Sequence, residues 1–288
     1  MTLTEVLISG AVGLAAGILG GLAGVGGSIL ILPSLAFLFG SQPDVVQHLY
    51  MAAAMTVNLV VAVPSALRHR AAGAVRGDLV RKLLPITAIS LALGVLASNS
   101  FRGWQLQILL AGFLLVYCGL NIHTLLRGPQ HGETAQETVT PARLLVSGGL
   151  TGLTAGLLGL GGGVLQVPLL QMLCKVKLRQ AIATSSAVIC LTAMIGAVLK
   201  LWSLPGLYAA AGLDGHAAVW RALILAGCMA PTAVIGARFG ASLTHRLPLA
   251  CVRGVITVML IVAAIGLGRK GFLGATQAQE PTSIHSTP

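Results

Sequence analysis

Hydrogen-bond donors set in acid-free apolar runs are the part of this sequence best suited to chemistry. Two glycine clusters, Gly26-Gly27-Ser28 and Gly161-Gly162-Gly163, lie inside such runs, the second run also carries Gln166, and neighbouring runs carry Asn58 and the hydroxyl cluster Thr184-Ser185-Ser186. A break in a membrane helix frees backbone N–H groups at the next helical N-terminus, where the dipole favours an anion. Amides and hydroxyls add further donors, and glycine lets a ligand approach the backbone. All seven acids (Glu5, Asp44, Asp78, Glu133, Glu137, Asp214 and Glu280) fall in expected loops or tails. That argues against a carboxylate cation site or a buried acid relaying protons. Proton coupling would then use a substrate proton or a histidine.

Each candidate also has a plain structural reading. Serine and threonine often bond their own helix backbone. Asn58, Gln166 and Gln171 can serve as interhelical hydrogen bonds. Arg238, inside a late apolar segment, can snorkel to the membrane face or line an anion path. The seven histidines form no ligand-spaced pair, so no metal is expected. The five cysteines form no CxxC and read as small core residues. The run LGLGGGVLQ lacks the Lys-Ser/Thr of a nucleotide loop, and no catalytic triad or HExxH appears. No cofactor and no enzymatic activity are expected.

The elements that hold these residues come from a repeat. At an offset of 135, Gly13, Gly17, Gly21, Gly24, Gly26, Gly27 and Pro33 superpose on Gly148, Gly152, Gly156, Gly159, Gly161, Gly162 and Pro168. An internal duplication is the reading. The chain of 288 residues is 56% hydrophobic and only 9% charged, with mean hydropathy +0.90. A soluble domain is about 25% charged. The fold class expected is an all-α polytopic membrane protein of two homologous helical repeats, each starting with a broken glycine-rich segment. Repeats at 1–126 and 144–270 flank a polar linker at 127–143, and residues 271–288 read as a disordered tail. Helices are expected over 49–67, 83–97, 106–126, 181–199, 222–243 and 254–267, with a loop through Pro205, Gly206 and Asp214. The upstream glycines read as helix-packing faces, the clusters at 26–28 and 161–163 as backbone openings.

The net charge of +11 reads as loop charge that orients the chain in a bilayer, with no nucleic-acid partner. If each glycine-rich run is one span, alternation places 11 Lys/Arg on one side and seven on the other. If each run doubles back as a hairpin, the two halves are inverted and the division becomes 13 against five, the five being Arg102, Lys200, Arg221, Arg269 and Lys270. The positive-inside rule favours the second scheme, with both termini outside the cytoplasm. The expected location is a bacterial inner (cell) membrane.

The segments GLAGVGGSILILPSL and GLLGLGGGVLQVPLL, with ATSSAVICLTAMIGAV and the basic loop RHRAAGAVR, resemble the sulfite exporter TauE/SafE family of membrane permeases, over about residues 5 to 270. The resemblance implies secondary transport of a small sulfur-containing anion such as sulfite or a sulfonate. Met51-Ala52-Ala53 departs from it, standing where a polar pair is often found. The function expected is anion permeation by alternating access, with Gly26, Gly27, Ser28, Asn58, Gly161, Gly162, Gly163, Gln166, Thr184, Ser185 and Ser186 as the substrate site. A passive anion channel and a membrane assembly subunit are the alternatives. A coupling ion, H+ or Na+, and a homo-oligomer are compatible with the sequence.

Overall fold

A computed structural model describes residues 3–23, 26–40, 44–126, 137–243 and 249–279. These residues form ten α-helices and no strand: α1 Leu3–Ala23, α2 Ser28–Phe39, α3 Val46–Ala71, α4 Gly77–Ser98, α5 Gly103–Leu126, α6 Pro141–Leu158, α7 Gln166–Cys174, α8 Leu178–Ala210, α9 Gly215–Leu243 and α10 Leu249–Gln279. Six of them are long and apolar enough to cross a membrane among the described residues. Leu93, Val198, Ile235 and Phe239 expose large apolar side chains, as a lipid-facing surface does. The chain is a multi-pass integral membrane protein.

The glycine-rich runs are broken as expected. The pieces after each break, α2 with 12 residues and α7 with nine, rise only about 18 Å and 14 Å. Neither reaches across a hydrocarbon core of about 30 Å. In the first run the chain doubles back, because Gly27 packs on Ala16 and Gly20 packs on Gly26 and Gly27. In the second, α6 ends in the left-handed Gly159, and Leu160 N–H donates to Ala155 O at 2.9 Å. Irregular backbone at membrane depth must be buried in protein. Here it is: Gly26 and Gly27 in the first run and Leu160 to Val164 in the second are all buried.

Upstream of the breaks the glycines form tight helix seams. A Cβ on Gly17 would strike the Ala233 carbonyl, and one on Gly236 would strike that of Leu14, so α1 and α9 lie backbone to backbone. Gly152 meets Thr87 and Gly94 meets Leu153 in the same way, joining α6 to α4. Within both pairs the numbers rise together, so the helices are parallel. By contrast α3 runs antiparallel to α8, with His48 facing Lys200 and Ser65 facing Ser186. Likewise α5 runs antiparallel to α10, with Cys118 against Thr257 and Ile108 against Gly271.

The two ends of the bundle differ in charge. One end gathers Arg76 with Asp78 and Glu137, Arg143 with Leu173 O, and Arg68 with Ser242. The other holds the Asp44–Gly103 contact, the bond from Lys270 to Ala36 O, and the surroundings of Lys200.

Two expectations need correction. The loop through Pro205 and Gly206 does not exist: α8 continues past Lys200 to Ala210, because Leu204 and Tyr208 bury themselves in the bundle. Residues 271–279, read as disordered tail, extend α10, where Gly271 is seated on Trp104 and Ile108 of α5. Most of the linker, residues 127–136, and the tail at 280–288 lie outside the described residues.

Candidate functional site

The two breaks meet on Asn58 of α3. Its Oδ1 accepts the Gly27 N–H at 2.8 Å, and its Nδ2 donates to Leu160 O at 3.3 Å. The Ser28 hydroxyl donates to the same Leu160 O at 2.6 Å. On the facing helix α8, the Thr192 hydroxyl lies 3.2 Å from Gly161 O and 3.1 Å from its own Val188 O. One amide side chain therefore ties the backbone of the first break to that of the second.

The glycines are required twice over. Gly26, Gly161 and Gly162 have φ of +80°, +68° and +107°, the left-handed region. A Cβ on Gly26 or Gly161 would also collide with the Asn58 amide. One on Gly162 would lie 2.8 Å from the Thr192 hydroxyl.

Two helices start at this crossing, and neither start has a side-chain cap. α2 begins after Gly27 and α7 after Leu165. The first N–H groups of a helix have no carbonyl one full turn back to bond; in α2 the Leu30 N–H turns to Gly27 O at 3.1 Å instead. Gln166, the first residue of α7, is fully buried, yet neither its Oε1 nor its Nε2 has a partner. The hydroxyls of Ser147 and Thr151 on α6 are buried and partnerless as well. Thr151 lines a narrow crevice with Thr154, Leu160, Gly162 and Leu165. Native interiors rarely leave such polar atoms unsatisfied. Of these atoms, Gln166 Nε2 and the two hydroxyls can donate to a ligand that brings acceptors. Ser28, Asn58, Gln166 and Thr192 are all shielded completely from solvent, and Gly163 is buried beside them.

The hydroxyl cluster on α8 is not at the crossing. Thr184, Ser185 and Ser186 lie six to eight residues before Thr192, about 9–12 Å along the helix. They are buried near the basic end. Thr184 Oγ1 accepts the Arg76 N–H at 3.3 Å, and the Ser186 hydroxyl donates to Ile182 O at 3.0 Å beside Ser65. Arg76 itself is held protonated, its pKa raised by hydrogen bonds from its guanidinium to Asp78 and then Glu137. Arg238 is exposed on α9.

Thr192, Ser147 and Thr151 escaped the sequence reading. The repeat gave no signal for Thr192: Gly27 pairs with Gly162, which Thr192 follows by 30 residues, whereas Asn58 follows Gly27 by 31. No group of His, Cys, Asp and Glu able to hold a metal ion occurs among the described residues.

The sequence profile of the sulfite exporter TauE/SafE family matches residues 9–267. The chain is similar to the probable membrane transporter protein MamO of Magnetospirillum gryphiswaldense, 27% identical over 92% of this chain and 45% of MamO. It is also similar to a probable membrane transporter protein of Haemophilus influenzae, 26% identical over 92% of this chain and 98% of the relative. YunE of Bacillus subtilis, a probable membrane transporter protein, is 26% identical over 90% of this chain and 96% of its own length. The chain thus spans less than half the length of MamO and nearly all of the other two. No solved structure matches it. A profile match across nearly the whole chain, on a bundle broken at both glycine runs, places this protein in the sulfite exporter TauE/SafE family.

Proposed function

We propose that the chain is a secondary transporter for a small anion, a sulfur oxyanion or organosulfonate such as sulfite, working by alternating access. One observation carries this reading: two uncapped helix starts and the partnerless Gln166 amide are buried at the crossing of the breaks, with no acid in reach. Donors without acids suit an anion. The contacts of Gly26, Gly27, Ser28, Asn58, Gly161, Gly162 and Gly163 belong to this site, with Thr192 and Thr151 added. Thr184, Ser185 and Ser186 line the way to it from the basic end.

The halves are read as inverted repeats. The antiparallel pairing of α3 with α8 and of α5 with α10, and the parallel seams α1–α9 and α4–α6, support that. Rocking of one half against the other would open the crossing to either side in turn. The basic end then faces the cytoplasm. Full burial of the crossing favours a carrier over an open channel.

Uptake of labelled sulfite into proteoliposomes tests the reading. Saturable counterflow is expected from the wild type, with a loss of about tenfold or more in Gln166→Leu, since a buried donor to an anion contributes about 1.5–3 kcal/mol. Absence of any anion flux, or linear flux without counterflow, would refute it.

A further inference from the structure

We propose that Lys200, caged by His48, Ser98 and Asn99, is the proton-binding site that couples transport to a proton gradient. This rests on the transport reading above. Lys200 is fully buried, although its sequence position suggested a loop charge. Its Nζ lies 2.8 Å from Ser98 Oγ, 2.8 Å from Asn99 Oδ1 and 2.9 Å from His48 Nδ1.

An ammonium has three N–H donors, and the cage offers three acceptors. Each is committed to accepting. The Ser98 hydroxyl gives its own hydrogen to Val95 O at 2.7 Å. His48 Nε2 faces Phe101 O at 3.2 Å, which puts the ring hydrogen there and leaves the Nδ1 lone pair for Lys200. Asn99 Oδ1 only accepts, and Ser203 donates to it too, at 3.4 Å. The cage is therefore matched to the protonated amine, and no donor is left over for a substrate anion.

No carboxylate balances this charge. The ion pairs among the described residues all involve Arg76. Of the elements on α8, α3 presents His48 and α4 presents Ser98. On α9, Arg221 lies near Tyr208, two turns beyond Lys200, and α7 ends in Cys174 near Arg143 at the far end. A lysine is almost never fully buried in a protein unless it is paired. A buried cation held only by neutral acceptors depends on keeping all of them.

The acceptors come from different parts of the bundle: His48 from α3, Ser98 from the last residue of α4 and Asn99 from the turn that follows it. Parting that turn from α8 removes two acceptors at once while the amine stays among apolar side chains, where burial without partners disfavours the charged form. Nζ then passes one proton to a water at the opening and is left a neutral amine; closing of the cage around a proton taken from water restores the ammonium. One N–H bond breaks or forms, and nothing is oxidised. The same two helices carry the crossing of the breaks. Lys200 is eight residues from Thr192 on α8, and His48 is ten residues from Asn58 on α3, about 12–15 Å in each case. A shift of α3 against α8 changes both places together, which is what coupling requires.

Proteoliposomes of the full chain test this with labelled methanesulfonate, an anion with no proton to carry near neutral pH. Wild type, Lys200→Arg, Lys200→Met and Asn99→Ala are compared in two assays: accumulation driven by an imposed proton gradient, and exchange with no gradient. The wild type is expected to accumulate the anion in response to the gradient. The Lys200 variants are expected to lose accumulation by about tenfold or more while exchange falls much less. Asn99→Ala, which keeps the lysine, should lose part of the accumulation. Wild-type transport that ignores the proton gradient overturns the proposal while leaving the transport reading intact. So does full gradient-driven accumulation in Lys200→Met. A wild type that moves neither methanesulfonate nor sulfite refutes both readings.

Discussion

Asn58→Ala removes the one side chain that ties the two breaks together, and its effect can be worked out bond by bond. The Gly27 N–H loses its acceptor inside the bundle, at about 1–3 kcal/mol for an orphaned buried donor. The longer bond to Leu160 O also goes, for about 0.5–1 kcal/mol. Leu160 O itself stays satisfied, because the Ser28 hydroxyl still reaches it. The sum is about 2–4 kcal/mol, or a fall in Tm of about 3–7 °C for a chain of this size. Ser28→Ala should be milder, about 0.5–1.5 kcal/mol, since Asn58 then continues to serve Leu160 O. The double variant leaves that carbonyl with no partner, so the two changes should be more than additive by about 1–2 kcal/mol. Thermal unfolding of the purified proteins in detergent, read by loss of the monodisperse elution peak, measures all three. A Tm for Asn58→Ala within about 1 °C of wild type, or a strictly additive double variant, would refute the crossing as drawn.

Gln166→Leu should act with opposite signs on stability and transport: removing a partnerless buried amide raises stability by about 1 kcal/mol while sulfite uptake falls by about tenfold or more, and a variant that destabilises and still transports would contradict the site. Gly17→Ala drives a Cβ into the Ala233 carbonyl and should cost about 2–3 kcal/mol, whereas Gly112→Ala, with open space around it, should be neutral or stabilise by up to about 1 kcal/mol; equal melting curves would show that the seam is looser than described. Glu137→Gln removes a half-exposed ion pair and should shift stability by less than about 1 kcal/mol, checked by the same melt. A reporter fused to the C-terminus should be active only outside the cytoplasm, and cytoplasmic activity would reverse the assigned orientation.

The breaks were legible because glycine clusters in an apolar run have few other uses, and the matched offset picked them out in both halves. Asn58 was legible as an amide stranded mid-span. Thr192 was hidden because the later helices align at an offset of 133, which pairs Asn58 with Leu191 rather than with the residue holding Gly161. Thr184, Ser185 and Ser186 drew attention as the densest hydroxyl cluster, but the helical rise sets them well away from Thr192. Lys200 was misplaced for a physical reason: a lysine after an apolar run usually marks the end of a span, and only the partners from α3 and α4 show that this one turns inward. Those partners lie about 100 and 150 residues away in sequence, beyond what any local pattern conveys.

The parallel seam between α1 and α9 has a consequence for biogenesis. Synthesis runs from the N-terminus, so α1 enters the bilayer long before its partner exists. Its glycine face at Gly13 and Gly17 fits only the backbone of Met229 and Ala233, and must meet lipid until α9 is made. A helix made early thus meets this partner late. A nascent chain released before residue 243 would hold α1 unclasped, with a groove too narrow for any side chain to fill, and quality-control proteases that survey the bilayer would find it there.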